Sequence, residues 1–94
     1  MNPLDVHTIQ QSLENLEGWS YEDDQLRKQY QFGDFSEALA FIVRVGLEAE
    51  KESHHPELKN VYNRVEIRLN THDVGDKVTE KDLRLAGKID KILR

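Results

Sequence analysis

The sequence of 94 residues contains no cysteine. Without cysteine there is no disulfide, no thiolate nucleophile and no cysteine-type zinc site. No apolar run approaches the roughly 20 residues that a membrane-spanning helix needs, and the N-terminus has no basic, hydrophobic signal. We therefore expect a cytoplasmic protein that does not span a membrane.

The chain also lacks an excess of positive charge, because its 13 Lys and Arg residues are outnumbered by 18 Asp and Glu residues and the formal net charge at pH 7 is −5. Bulk nucleic-acid binding needs a basic surface that neutralises phosphates, so no direct nucleic-acid contact is expected. No repeat, low-complexity tract or linker interrupts the sequence. A chain of this length can form one modest core, so residues 1–94 are interpreted as a single domain that gains stability as a homo-oligomer.

Three segments have the apolar spacing of helices. The first is capped by either Asp5 or Thr8 and is expected to stop at Gly18. The second is expected from Ser36, as its cap, to near His54, with a broad apolar stripe of Leu39, Ile42, Val43, Gly46 and Leu47. A stripe of this width predicts a central helix packed against a sheet. The third follows a capping box and has the apolar face Leu83, Ala86, Ile89 and Leu93.

Alternating segments predict the strands. Residues 19–32 have the pattern of a β-hairpin, residues 58–62 form a short strand, and residues 64–71 alternate between polar and apolar side chains. Antiparallel hairpins separated by helices predict an α+β fold. We expect a four-stranded antiparallel sheet with three helices packed on one face, in the order α-β-β-α-β-β-α.

The stretch from Glu50 to His72 is the most informative about function, since it contains three of the four histidines. Proline disfavours helical backbone at the preceding residue, so Pro56 should make His55 extended and end the helix near His54. The two adjacent histidines should then diverge, with Glu50 on the face of the helix that carries His54. A carboxylate in this position can fix the tautomer of an imidazole.

His72 is expected on the polar face of the sheet, at the end of the strand, and loops at strand ends commonly carry functional side chains. Several imidazoles around one pocket suit proton transfer at neutral pH. A three-histidine metal site with Glu50 or Asp82 is the competing hypothesis, because three histidines can hold catalytic zinc. It is the weaker one, because adjacent histidines diverge at a helix end and no helical metal-binding motif is present.

These residues resemble the pterin-4a-carbinolamine dehydratase family over nearly the whole chain. The resemblance rests on Ala49-Glu50-Lys51, His54-His55-Pro56-Glu57, Asn60-Val61-Tyr62-Asn63, Val65, Ile67, Leu69, Thr71-His72 and Asp82, with Gly18-Trp19 and Phe35 nearer the N-terminus. Two departures are visible. Leu58 replaces a frequent aromatic residue, and the segment from His72 to Asp82 is one residue longer than in the animal enzymes.

The resemblance implies a homodimer or homotetramer that dehydrates 4a-hydroxytetrahydropterin to quinonoid dihydropterin without metal or organic cofactor. The reaction recycles the cofactor of pterin-dependent aromatic amino-acid hydroxylases. His54 and His72 would be acid and base, in either assignment, and His55 would orient the pterin. The remaining implied site residues are Glu50, which sets a histidine's orientation, Thr71 and Asp73, which contact the ring, and Pro56, Asp82 and Trp19, which support the pocket.

Animal members of the family also bind a homeodomain transcription factor and stabilise its dimer. A protein-binding dimerisation cofactor is therefore the alternative function, and a pterin-binding protein without turnover is a third. The intact set of His54, His55 and His72 favours the enzyme, because a pure scaffold has no use for these side chains.

Overall fold

A computed structural model describes residues 1–94 as three helices and a four-stranded antiparallel sheet. The elements are α1 (Val6–Leu13), β1 (Ser20–Glu22), β2 (Gln25–Gln31), α2 (Phe35–Lys51), β3 (Glu57–Val61), β4 (Arg64–Leu69) and α3 (Glu80–Ile92). The spatial order of the strands is β1-β2-β4-β3. The predicted fold class and element order are confirmed. None of the helices has the length and apolar character to cross a membrane.

The alternation of β4 determines which face of the sheet is covered. Val65, Ile67 and Leu69 are fully buried. The residues between them point to the other face, where Glu66 forms an ion pair with Arg27 of β2. The buried residues of all three helices join the apolar side of the sheet in one core cluster. The helices therefore pack on one face, as the sequence predicts.

The ends of the first two helices differ from the prediction. Asp5 caps α1, but the helix ends at Leu13 because the following hydrogen bonds tighten to a span of three residues. Gly18, with φ 86°, lies in the turn beyond the helix rather than at its end. The cap of α2 is Asp34, not Ser36, because the Asp34 side chain accepts a hydrogen bond from a backbone N–H in the first turn.

The apolar stripe of α2 matches the predicted one only in part, because Ile42 is the predicted residue that packs against the core. The residues buried against the core are Ala38, Phe41, Val45 and Ala49. The predicted residues Leu39, Val43 and Leu47 are 45%, 55% and 61% exposed. The apolar surface of α2 is therefore wider than the surface that the sheet covers, and half of it faces solvent.

The predicted apolar face of α3 is confirmed in part, because Ala86 and Ile89 are buried and Leu83 packs against the core. Asp82 and Leu85 are buried as well, whereas Leu93 is half exposed. The β4 strand ends at Leu69 rather than Thr71. Thr71 instead forms an isolated bridge with Lys77, and a 3₁₀ turn, His72–Val74, follows it.

Candidate active site

The C-terminal end of α2 determines where His54 lies. Ser53 has a φ of 51°, and this left-handed residue reverses the chain after the helix. The N–H of His54 then donates to the carbonyl of Ala49, and that of Ser53 donates to the carbonyl of Glu50, at 3.1 Å each. This pair of hydrogen bonds is a Schellman motif, and it directs His54 inward, where only 8% of the residue is exposed.

Asp82 is the partner of His54. It lies in the first turn of α3 and is fully buried. Its Oδ1 is 2.5 Å from His54 Nε2, and its Oδ2 accepts hydrogen bonds from Thr71 Oγ1 at 2.9 Å and from the Thr79 N–H at 2.8 Å. The predicted capping box of Thr79 and Asp82 is confirmed. The same carboxylate therefore caps a helix and holds an imidazole.

His55 points away from His54, as predicted. Its Nε2 is 2.7 Å from Glu50 Oε1, and both side chains are largely exposed. Glu50 therefore pairs with His55, and the expectation that it shares a face with His54 is wrong. The left-handed residue at Ser53 turns His54 into the core, out of reach of the last helical turn.

His72 is the first residue of the 3₁₀ turn, and its side chain is 91% exposed. Its Nδ1 is 3.0 Å from Asp76 Oδ1. The hydrogen bond to Asp76, then the negative charges of Asp76 and Asp73, raise the pKa of His72 above its ordinary value. Its imidazolium form therefore persists to a higher pH than that of a free histidine.

The three histidines line one cavity of about 300 Å³. Its wall is entirely polar and consists of Ser53, His54, His55, Asn70, Thr71, His72, Asp73 and Lys81. A larger open concavity of about 790 Å³ lies near the C-terminal end of α3 and contains no histidine. The smaller cavity is the candidate active site because the imidazoles open onto it.

Some predicted site residues lie outside this cavity. Trp19 is buried in the core and donates through Nε1 to Asp90, so it does not line the wall. Pro56 is half-buried beside His55 but is not a lining residue. Asp82 lies behind His54 rather than in the wall. Ser53, Asn70 and Lys81 line the cavity without having been predicted; their only sequence signal is that they are close neighbours of predicted residues.

Each histidine of the cavity wall is paired with a carboxylate that is not itself a lining residue, in the pairs His54–Asp82, His55–Glu50 and His72–Asp76. No group of three histidine, aspartate or glutamate side chains is arranged to hold a metal ion. A carboxylate beside an imidazole selects the nitrogen that carries the proton, so the arrangement suits proton transfer. Catalysis without a metal remains a prediction.

The fold and the cavity define an α+β protein with a polar, histidine-lined pocket at one end of its helical layer. Residues 2–92 match the family described as pterin 4 alpha carbinolamine dehydratase. The chain belongs to the pterin-4a-carbinolamine dehydratase family, which is a family of hydro-lyases.

Relatives agree with this assignment. A protein of Opitutus terrae named "Putative pterin-4-alpha-carbinolamine dehydratase" is 56% identical over 84 residues, which cover 89% of this chain and 87% of the relative. A crystal structure of a transcriptional coactivator/pterin dehydratase from Brucella melitensis superimposes with a TM-score of 0.91 at 39% identity, covering 97% and 98% of the two chains. A pterin dehydratase-like RuBisCO assembly factor of the alpha-carboxysome shares the fold, with a TM-score of 0.65 at 20% identity over 79% of this chain and 84% of the other.

Proposed function

We propose that this protein dehydrates 4a-hydroxytetrahydropterin to quinonoid dihydropterin and water. The observation that carries the proposal is the convergence of His54, His55 and His72 on one polar cavity. Membership of the dehydratase family and the names of the relatives support it. The polar wall also suits a pterin, whose ring presents many hydrogen-bond donors and acceptors.

The reaction needs one acid and one base. The C4a–O bond breaks, the N5–H proton leaves, and the electron pair of N5 forms the C4a=N5 bond. An acid must protonate the departing hydroxyl group so that it leaves as water, and a base must accept the N5 proton. Water then carries the proton from the base back to the acid and restores both groups.

We assign the acid to His72 and the base to His54. Asp76 engages Nδ1 of His72 and raises its pKa, which favours an imidazolium that donates from Nε2. Asp82 engages Nε2 of His54, so Nδ1 is the ring nitrogen left to accept a proton.

The other predicted residues bind and orient the pterin. His55, held by Glu50, supplies a ring nitrogen at the exposed side of the cavity. Thr71 and Asp73 present their backbone groups along the wall, and Pro56 fixes the chain beside His55. The reaction needs no organic cofactor and recycles the pterin of aromatic amino-acid hydroxylases. A cytoplasmic location is consistent with this role and stays a prediction of the sequence.

Stopped-flow absorbance of freshly generated 4a-hydroxytetrahydropterin tests the proposal. We expect the protein to accelerate the dehydration, with and without EDTA. His54→Ala and His72→Ala should each lower kcat by about 10²-fold or more, as the loss of a general acid or base does. His7→Ala is the matched control, because His7 is exposed on α1 and does not line the cavity.

Each alternative has a distinct outcome. Acceleration that EDTA abolishes would reinstate the metal hypothesis. Binding of the pterin without acceleration would indicate a binding protein, and no effect of any kind would favour the role as a protein-binding dimerisation cofactor. Wild-type turnover in either the His54 or the His72 variant would refute the residue assignment.

We further propose that copies of this chain associate through the exposed apolar face of α2. Leu39, Val43 and Leu47 form this face. In an antiparallel pair with a two-fold axis at Val43, Leu39 of one copy lies opposite Leu47 of the other, and Ala40 lies opposite Gly46. Gly46 has no atom within 4 Å of the position that a Cβ would occupy, so a partner helix can approach closely.

Sedimentation velocity tests the association. The wild-type protein should sediment as a dimer or tetramer, and Val43→Glu should reduce the mass of the particle, because it would bury a charge between two helices. Val6→Glu is the matched control, since Val6 is 57% exposed on α1 and lies outside this face. A monomeric wild-type protein, or an unchanged mass for Val43→Glu, would contradict the proposed interface.

A further inference from the structure

A chain of hydrogen bonds between buried side chains leads to Asp82, the partner of His54. Thr71 Oγ1 is 2.7 Å from Thr79 Oγ1 and donates to Asp82 Oδ2 at 2.9 Å. The backbone N–H of Lys81 donates to Thr79 Oγ1 at 3.2 Å. All of the side-chain oxygens in this chain belong to buried residues.

The direction of every hydrogen bond in this chain is determined by counting protons. A hydroxyl group has one proton to donate. Because Thr71 donates its proton to Asp82, the hydroxyl of Thr79 must be the donor to Thr71. Thr79 in turn accepts from the Lys81 N–H. The chain therefore runs in one direction, from the backbone of α3 to the carboxylate.

Asp82 consequently receives donors on both oxygens. Oδ2 accepts from Thr71 and from the Thr79 N–H, which leaves Oδ1 as the partner of His54 Nε2. An ionised carboxylate only accepts hydrogen bonds, so Nε2 must carry the proton. No buried side-chain nitrogen or oxygen is left without a partner, so no alternative pairing is needed to satisfy the site.

We propose that Thr71 and Thr79 are positioning residues whose directed hydroxyl chain keeps Asp82 an acceptor and thereby sets the tautomer of His54. The proton of neutral His54 lies on Nε2, and Nδ1 is the basic nitrogen. The link to catalysis rests on the proposed function, whereas the tautomer is a property of the folded protein alone. The two hydroxyl groups act through Asp82 and do not touch the substrate.

The Thr71 hydroxyl matters because a buried carboxylate that lacks a hydrogen-bond donor is energetically unfavourable. Without the Thr71 hydroxyl, Oδ2 keeps one donor in a site that excludes water. A buried anion that loses a hydrogen bond is better satisfied by binding a proton. The nearest proton is the one on His54 Nε2. When it moves to Asp82, Nδ1 takes up a proton from water in the cavity, and the lone pair of the neutral imidazole then lies on Nε2, which faces Asp82 and not the cavity.

His72 supplies an internal control for this effect. The carbonyl of Thr71 accepts hydrogen bonds from the N–H groups of Val74 and Asp76, and these hold the turn that carries His72. Thr71→Val removes the hydroxyl but keeps the shape of the side chain and these backbone bonds. A specific effect therefore changes His54 alone, whereas a general loosening of the loop changes His54 and His72 together.

The test is ¹⁵N NMR of the histidine rings, using the full chain with ¹⁵N-labelled histidine at about pH 8.5, where an ordinary histidine is neutral. The wild-type protein should show His54 protonated on Nε2. Thr71→Val should move the His54 signals toward the other tautomer or a mixture, leave those of His72 in place, and lower kcat by about tenfold or more with little change in KM. Thr71→Ser, which keeps the hydroxyl, should restore both.

Three results would overturn the proposal: His54 protonated on Nδ1 in the wild-type protein, an unchanged His54 tautomer in Thr71→Val, or equal changes at His54 and His72. Failure of the proposed function looks different. A protein that shows the predicted tautomers but does not accelerate the dehydration would leave the hydroxyl chain established and remove only its catalytic purpose.

Discussion

Each end of α3 carries a carboxylate that accepts hydrogen bonds from three donors, and the two carboxylates have different roles. Asp82, in the first turn, accepts from His54, Thr71 and the backbone of Thr79. Asp90, near the other end, accepts from Trp19 Nε1, Lys28 Nζ and Tyr30 Oη, with a shortest distance of 2.6 Å to Tyr30.

The difference lies in the donors rather than in the carboxylates. One donor of Asp82 is an imidazole, the one side chain in either cluster that ordinarily titrates near neutral pH. The donors of Asp90 are an indole, an ammonium and a phenol, which are types of group that do not ordinarily titrate near neutral pH. Burial, then the hydrogen bond to Asp90, raises the pKa of Tyr30 far above its ordinary value. A carboxylate with three donors thus becomes part of a proton-transfer site only where one donor has a second nitrogen that can bind and release a proton at working pH.

Of the substitutions that test this difference, Asp82→Asn should have the largest effect on kcat. The amide keeps the size of the side chain, but its NH₂ group donates where the carboxylate accepted. We expect kcat for the dehydration to fall by about 10²-fold or more, and the free energy of unfolding to fall by about 1–3 kcal/mol, because a buried network loses an acceptor. Stopped-flow kinetics and urea denaturation measure the two effects, and wild-type kcat in a folded variant would contradict the role of Asp82.

Asp90→Asn is the matched substitution at the other end of the helix. Lys28, whose side chain is 19% exposed, would lose its ionic partner, and the Trp19 and Tyr30 donors would compete for one oxygen. We expect the free energy of unfolding to fall by about 1–3 kcal/mol, with kcat within twofold of wild type. Urea denaturation and the dehydration assay measure this separation. A loss of kcat as large as that of Asp82→Asn would mean that the two carboxylates do not differ in the proposed way.

Short-range patterns predicted much of this structure. The alternation of β4, the capping box at Thr79 and the divergence of His54 from His55 are set by a few neighbouring residues, and all three are confirmed. Each follows from backbone geometry that is nearly independent of the rest of the chain.

The sequence patterns did not predict which side chains pair when they lie far apart along the chain. Glu50 is close to His54 along the chain, but the actual partner is Asp82, 28 residues away, because the reversal at Ser53 brings the end of α2 to the start of α3. The exposed stripe of α2 is a similar case. Periodicity measures the width of an apolar surface, but it does not say which half the protein's own sheet covers.

Asp76→Asn sharpens the comparison by testing a carboxylate that pairs with an exposed histidine. Asp76 raises the pKa of His72, so its neutralisation should lower that pKa. If His72 donates its proton in the reaction, its active form is then lost at a lower pH, and the alkaline limb of the kcat/KM profile should move to lower pH. Asparagine tolerates the φ of 60° at this position, so the turn should remain.

Asp73→Asn provides the graded control for this experiment, because Asp73 acts on His72 only through its charge and contributes less than Asp76. The alkaline limb should therefore move in the same direction by a smaller amount. If His72 were the base, the active form would be the neutral imidazole, and the acidic limb would move to lower pH instead. Profiles that do not change in either variant would remove His72 from proton transfer and leave the buried pair of His54 and Asp82 as the remaining candidate.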